Sequence, residues 1–227
     1  MAALRGRYRV VRYDLRGFGK SGHGTSRYSH ADDLAALLDY LGVMDVALVG
    51  LSLGGGAVIN FAMGHPDRVR ALVVVDPSLG GFSWSAEFTA ELNNVRDVAR
   101  TSGVQDAREQ WLLSPLFAPA LANPRSAKRL RTMVGDYSGW HWLNADLGRP
   151  FKPPAIERLG EIVAPTLVIV GELDAPDFRN IAATVVQTVS HARKVTLPGV
   201  GHLANLEDPD RFNDHLLRFL DSTHQGG

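Results

Sequence analysis

The sequence of 227 residues contains no cysteine, which excludes a disulfide framework, thiolate metal ligands and a cysteine nucleophile. It also lacks an excess of charge of either sign, since 24 Lys and Arg balance 24 Asp and Glu. Proteins that work on nucleic acid or on an anionic membrane surface carry a basic excess, because neutralised phosphates supply most of their affinity. Neither partner is therefore expected. No apolar run approaches the roughly 20 residues that cross a bilayer, and the opening MAALRGRYRVV holds no apolar stretch of signal-peptide length. The expectation is a soluble cytoplasmic protein. No dinucleotide fingerprint appears, and His23, His30, His65, His191, His215 and His224 show no metal-ligand spacing, so they are read as surface or capping residues. No metal and no cofactor is implied.

What is present is ordinary globular material, 45% hydrophobic and 21% charged, in an amount that suits one domain with an insertion. The run Tyr8 to Tyr13 is β-branched and aromatic enough to predict a strand, and it leads into the Gly-rich turn DLRGFGKSG. Ser29 is placed to cap a helix whose first turn holds Asp32 and Asp33, whose apolar face is Leu34, Leu37, Leu38 and Leu41, and which stops at Gly42. Val46 to Val49, Ala71 to Val75, Thr166 to Val170 and Lys194 to Leu197 read as buried strands, separated by amphipathic segments. Short apolar strands alternating with helices predict an α/β fold, a mostly parallel sheet covered on both faces. Between Ser78 and Leu159 the alternation breaks into Trp- and Pro-containing helical pieces. The expected organisation is a core of residues 1–77 and 160–227 with an insertion at 78–159.

Gly50, Ser52 and Gly54 form GxSxG directly between the strand at 46–49 and an apolar helix. A sharp strand-to-helix turn lifts a serine hydroxyl above the sheet, and small residues at 50 and 54 are expected because a Cβ there would collide across the turn. A serine hydroxyl is a poor nucleophile until a base takes its proton and a third group orients that base. His202 in GVGHLANLEDP and Asp174 in GELDAP each follow a predicted strand, so all three residues occupy loops at the carboxyl ends of parallel strands.

DLRGFGKSG, GLSLGGG, GELDAP and GVGHLANLEDP together resemble the loop signatures of the α/β-hydrolase fold, in its esterase, enol-lactonase and carbon-carbon bond hydrolase branch. The resemblance runs from about Tyr8 to Leu220. It implies Ser52 as nucleophile, His202 as general base and acid, Asp174 as the orienting carboxylate and the Leu53 N–H as an oxyanion donor. Asp76 is the rival acid, since some relatives use that position; Asp174 is preferred. Serine at 52, where the dehalogenase branch carries aspartate, disfavours halide displacement. The insertion is then a helical lid, with Phe82, Trp84, Trp140, His141 and Trp142 as candidates to line an apolar substrate pocket or to pack lid on core. Asp14 and Arg16 are read as holding their own loop.

By the same resemblance the chain begins at the family's fourth strand, without the preceding His-Gly loop that supplies a second oxyanion N–H. The strand at 8–13 is then expected to pair directly with that at 46–49, Gly17 or Gly19 stands as a substitute donor, and an edge exposed at 8–13 invites a homodimer. The implied activity is hydrolysis of carboxylic esters or lactones of small, largely apolar acids through an acyl-enzyme. Carbon-carbon bond hydrolysis is a variant of the same machinery, and the alternative from another class is a weak or inactive scaffold that binds a small ligand.

Overall fold

The computed structural model describes residues 2–224. Four parallel strands lie in the order β1 (Val46–Leu51), β2 (Val69–Val75), β3 (Thr166–Gly171) and β4 (Ala192–Leu197). On β2, Ala71, Val73 and Val75 point to one apolar layer while Leu72 and Val74 point to the other, and β3 divides Leu167 and Ile169 from Val168 and Val170 in the same way. The period of two along a strand puts alternate side chains on opposite faces, so strands buried on both sides read as continuous apolar runs. Each such Val, Leu or Ile contributes roughly 1.5–3 kcal/mol of transfer free energy.

Helices α1 (His30–Tyr40), α2 (Leu53–Gly64) and α9 (Pro176–Thr188) cover one face, and α11 (Pro209–His224) covers the other. Ser29 caps α1 by accepting the Asp32 N–H at 3.3 Å, Leu34 and Leu38 are buried, and Gly42 turns the chain away at φ 64°. Between β2 and β3 the chain leaves the sheet for α3 (Ala86–Thr101), α4 (Val104–Leu112), α5 (Ala118–Ala122), α6 (Pro124–Asp136), α7 (Trp140–Leu143) and α8 (Ala155–Arg158). This insertion has a small apolar cluster of its own at Val95, Ala99, Ala107 and Trp142. Its first helix is tied to the core by Asp177 of α9, whose Oδ2 accepts both the Ser85 N–H at 3.1 Å and the Ser85 hydroxyl at 2.7 Å. The short α10 (Ala204–Glu207) precedes α11.

One expected element does not form. Residues 8–13 are not a strand and do not pair with β1; Val10, Val11 and Tyr13 are exposed. The start of the run is held by side chains instead, with Tyr8 Oη donating to Asp221 of α11 at 2.9 Å and the preceding Arg7 paired to the same carboxylate. Strand propensity measures packing on a pleated, half-buried surface and not an intrinsic backbone preference, so a β-branched run left exposed does not form a strand by composition alone. The free edge of the sheet is therefore β1. Its Val49 is 45% exposed, and VALVGL carries no charge, whereas β4 at the opposite edge presents exposed Arg193 and Lys194.

Candidate active site

The carboxyl ends of β1, β2, β3 and β4 each deliver one polar side chain to the same rim of the sheet. At the end of β1, Ser52 takes φ 52° and ψ −118° before α2 begins at Leu53. This departure is costly for a residue with a Cβ. It is stabilised from both sides: the Ser52 N–H donates to Val75 O at 3.0 Å, and its carbonyl accepts from Gly56 N–H at 3.1 Å and Ser78 N–H at 3.0 Å. The hydroxyl makes no capping bond to α2 and so remains uncommitted to the helix. A Cβ at Gly50 would lie 2.3 Å from Gly54 O, which explains the glycine there. Position 54 differs from expectation, because a Cβ there would meet nothing within 4 Å; the close approach is made by the Gly54 carbonyl. Leu53 is the first residue of α2, where backbone N–H groups have no intrahelical acceptor.

Asp174 and His202 come together directly. His202 Nδ1 lies 3.0 Å from Asp174 Oδ2, and the two residues are 2% and 3% exposed. Against a carboxylate acceptor Nδ1 carries the proton, which leaves Nε2 as a base. Asp174 Oδ1 also accepts the Ala175 N–H at 2.7 Å. The histidine loop is held from below by Glu207 of α10, whose carboxylate accepts the N–H of Gly201 at 2.6 Å and of Leu203 at 2.9 Å, the residues on either side of His202. The Phe178 ring of α9 lies 4.3 Å from the imidazole, centroid to centroid.

Asp76, at the end of β2, is wholly buried and has φ 42°. Among the described residues, Ser52 and Asp76 are the two non-glycine residues with positive φ, and both stand at this rim. The Asp76 N–H donates to Ile169 O at 3.0 Å, and its Oδ1 accepts the Gly171 N–H at 3.0 Å. Its Oδ2 meets no donor among the described residues, and the side chain lies against the Asp174 carboxylate. Burial, and next to it the charge of Asp174, push the Asp76 carboxyl up to about 10. The imidazole bond is thus made by Asp174, with Asp76 beside the pair. Asp76, Asp174 and His202 offer ligand-type atoms within 4.8 Å of one another. His202 Nδ1 and Asp174 Oδ2 are committed to each other at hydrogen-bond distance, 3.0 Å.

The candidate pocket aromatics divide into two groups. Trp84 stacks on Phe88 at 4.8 Å and meets Phe178 edge-on at 5.2 Å, with Phe82 against Trp84 at 5.4 Å, so this group leads to the histidine. Trp140 and His141 pack on the Gly-rich turn instead, His23 stacking on Trp140 and Phe18 on His141 at 4.4 Å, while Trp142 belongs to the insertion's own cluster. His30, expected at the surface or at a helix cap, is the first residue of α1 and is half-buried, and that burial lowers its pKa. The Gly17 N–H is taken by Gly22 O at 3.1 Å.

Phe88, Phe178 and Glu207 were not singled out in the sequence. Glu207 lies five residues after His202, within GVGHLANLEDP, where a capping carboxylate could have been sought. Phe178 carried only the signal of a helix face, and Phe88 carried none.

Comparison with known proteins places these features in a group. The family described as alpha/beta hydrolase fold matches residues 1–209. The chain is 29% identical over 220 residues to a 2-hydroxy-6-oxononadienedioate/2-hydroxy-6-oxononatrienedioate hydrolase of Burkholderia vietnamiensis, an alignment covering 94% of this chain and 76% of that protein. Among solved structures it is similar to a thermophilic esterase from Thermogutta terrifontis, at TM-score 0.77 and 28% identity over 93% of this chain and 79% of that one. It is equally similar in TM-score, 0.77, to the enol-lactonase from Burkholderia xenovorans LB400, at 26% identity over 97% of this chain and 84% of the other.

Proposed function

The chain belongs to the α/β-hydrolase fold family, and from that premise we propose that it is a serine hydrolase of carboxylic esters or lactones of small, largely apolar acids. The observation that carries this reading is the buried Asp174–His202 hydrogen bond of 3.0 Å, at the same rim as a serine held at positive φ with its hydroxyl free of the helix. His202 Nε2 takes the Ser52 proton as Oγ bonds to the substrate carbonyl carbon, and the carbonyl electron pair moves onto oxygen beside the Leu53 N–H. The imidazolium then returns that proton to the leaving alkoxide as the carbon-oxygen bond breaks. Water repeats the sequence on the acyl-enzyme and releases the acid. Asp174 holds the tautomer and stabilises the imidazolium throughout. General base catalysis of this kind supplies about 10²–10⁴-fold, and one oxyanion donor about 10²–10³-fold.

The preference for apolar acids rests on what surrounds His202. Leu51, Trp84, Phe88, Phe117, Phe178 and Leu203 form one aromatic and aliphatic cluster there. The three guanidinium-over-ring contacts among the described residues lie elsewhere. A carbon-carbon bond hydrolase reading, a variant of the same machinery, is favoured by the names of several relatives. The segment 78–159, anchored through Ser85 and Asp177, serves as the lid.

Hydrolysis of p-nitrophenyl butyrate by the intact protein and by Ser52→Ala tests the reading. The variant should lose roughly 10³-fold or more in kcat/KM. Equal rates would sink it, and a protein inert with or without the substitution would favour the ligand-binding scaffold.

A further inference from the structure

Two carboxyl groups and one imidazole are shut in the same buried space, and their charges do not balance if all the acids are ionised. Asp174 uses one oxygen on Ala175 N–H and the other on His202 Nδ1. Asp76 uses one oxygen on Gly171 N–H, while Oδ2 is buried without a donor and faces the Asp174 carboxylate. An acceptor set against an acceptor in a dry site is repulsive and leaves an unpaired polar atom. A single proton removes both problems. The other ionisable group acting on Asp76, Glu207, is negative and committed to the Gly201 and Leu203 N–H groups, so it offers no compensation.

We propose that Asp76 is a positioning residue that holds a proton on Oδ2 and donates it to the Asp174 carboxylate, fixing the rotamer in which Asp174 orients His202. The backbone supports this assignment. Asp76 sits at φ 42° with its N–H on Ile169 and its Oδ1 on Gly171, so the β2–β3 ladder aims the carboxyl across the gap to the loop of Asp174. Burial and the Asp174 charge both favour the neutral acid, in accord with this geometry. The role differs from that of the rival catalytic acid, because Asp76 acts on Asp174 and not on the imidazole. It rests on the reading of Asp174 and His202 as the partners of Ser52.

Two substitutions separate the donor from the backbone. Asn tolerates positive φ, can accept from Gly171 through its oxygen and can donate to Asp174 through its amide. Gly accepts the same φ but offers no donor. On p-nitrophenyl butyrate, Asp76→Asn should keep kcat within about 5-fold of the wild type, and Asp76→Gly should lose roughly 10²-fold in kcat with little change in KM. An activity-independent readout uses infrared spectroscopy of the catalytically dead Ser52→Ala protein at neutral pH. A protonated-carboxyl band that shifts in D₂O and vanishes in Ser52→Ala/Asp76→Asn is expected. If Asp76→Asn is as slow as Asp76→Gly, or if no such band depends on Asp76, the proposal is overturned. If Ser52→Ala leaves hydrolysis unchanged, the nucleophile assignment fails instead, while the band still reports on Asp76.

Discussion

Gly171, the last residue of β3, offers a way to move the histidine loop without touching a catalytic atom. A Cβ there would lie 2.1 Å from Gly201 O, 2.5 Å from Val200 O and 2.8 Å from the Gly201 carbonyl carbon. Side-chain carbons do not approach within 3.0 Å, so Gly171→Ala requires the strand end and the loop to part by about 0.9 Å. Gly201 precedes His202, and Val200 O accepts the Leu173 N–H at 2.8 Å next to Asp174. The displacement therefore falls between the two halves of the 3.0 Å bond, and taken up there it would stretch the contact past hydrogen-bond range. Both clashing groups are backbone, so the stability cost should be near the upper end of the usual 1–3 kcal/mol for overpacking. The cost in kcat/KM should be roughly 10²-fold, the effect of misplacing a catalytic group by about 1 Å. Thermal melts, ester hydrolysis and the low-field proton resonance of His202 Nδ1–H read the three consequences. Gly135→Ala, in α6 with nothing within 4 Å of a new Cβ, is the control and should gain about 0.4–1 kcal/mol without altering activity. Wild-type kcat/KM and an unshifted resonance in Gly171→Ala would refute the reasoning.

Other perturbations have comparably definite outcomes. Because the Asp76 carboxyl is raised from roughly 4 in the unfolded chain to about 10, its contribution to stability is complete below the unfolded value and is lost progressively as pH rises from there to the folded value. Denaturant unfolding between about pH 5 and about pH 9 should show the wild type losing up to about 1.4 kcal/mol per pH unit from this proton, a slope that Asp76→Asn lacks; identical slopes would refute it. Glu207→Ala leaves the N–H groups of Gly201 and Leu203 without their acceptor, so melting should report a loss of about 2–4 kcal/mol and hydrolysis should fall with it. Phe178→Ala removes the ring beside His202 and the partner of Trp84, and calorimetry should register about 3–5 kcal/mol of destabilisation. The uncharged β1 edge should self-associate, giving a dimer by light scattering that Val49→Lys weakens; a wild type that stays monomeric at high concentration would remove that expectation.

The parts of the molecule legible in the sequence are those whose cause is local. The strands around Val73 and Ile169 announce themselves as apolar runs, and the turn at Ser52 follows from glycines that leave room for the helix start. The loops of Asp174 and His202 could be placed because each follows a strand directly. The misreading at 8–13 has a physical reason: a β-branched run forms a strand only if a neighbouring edge pairs with it, and the register of that edge is a tertiary fact. The same limit hid the aromatic cluster beside His202. Phe88 on α3 and Phe178 on α9 meet Trp84 only because the insertion folds back over the rim through Ser85 and Asp177. In the sequence Asp76 reads only as an alternative to Asp174, since nothing along the chain says that the ends of β2 and β3 bring the two carboxyls together.

The central claim is that Ser52 is the activated nucleophile, and covalent labelling tests it without knowledge of the natural substrate. Intact-mass spectrometry after treatment with a fluorophosphonate, followed by peptide mapping, should find one adduct, located on Ser52. It should be absent from Ser52→Ala and form far more slowly in Asp174→Ala and His202→Ala. An adduct that persists in Ser52→Ala, or an intact Ser52 in protein that hydrolyses esters and is silenced by the reagent, would contradict the account.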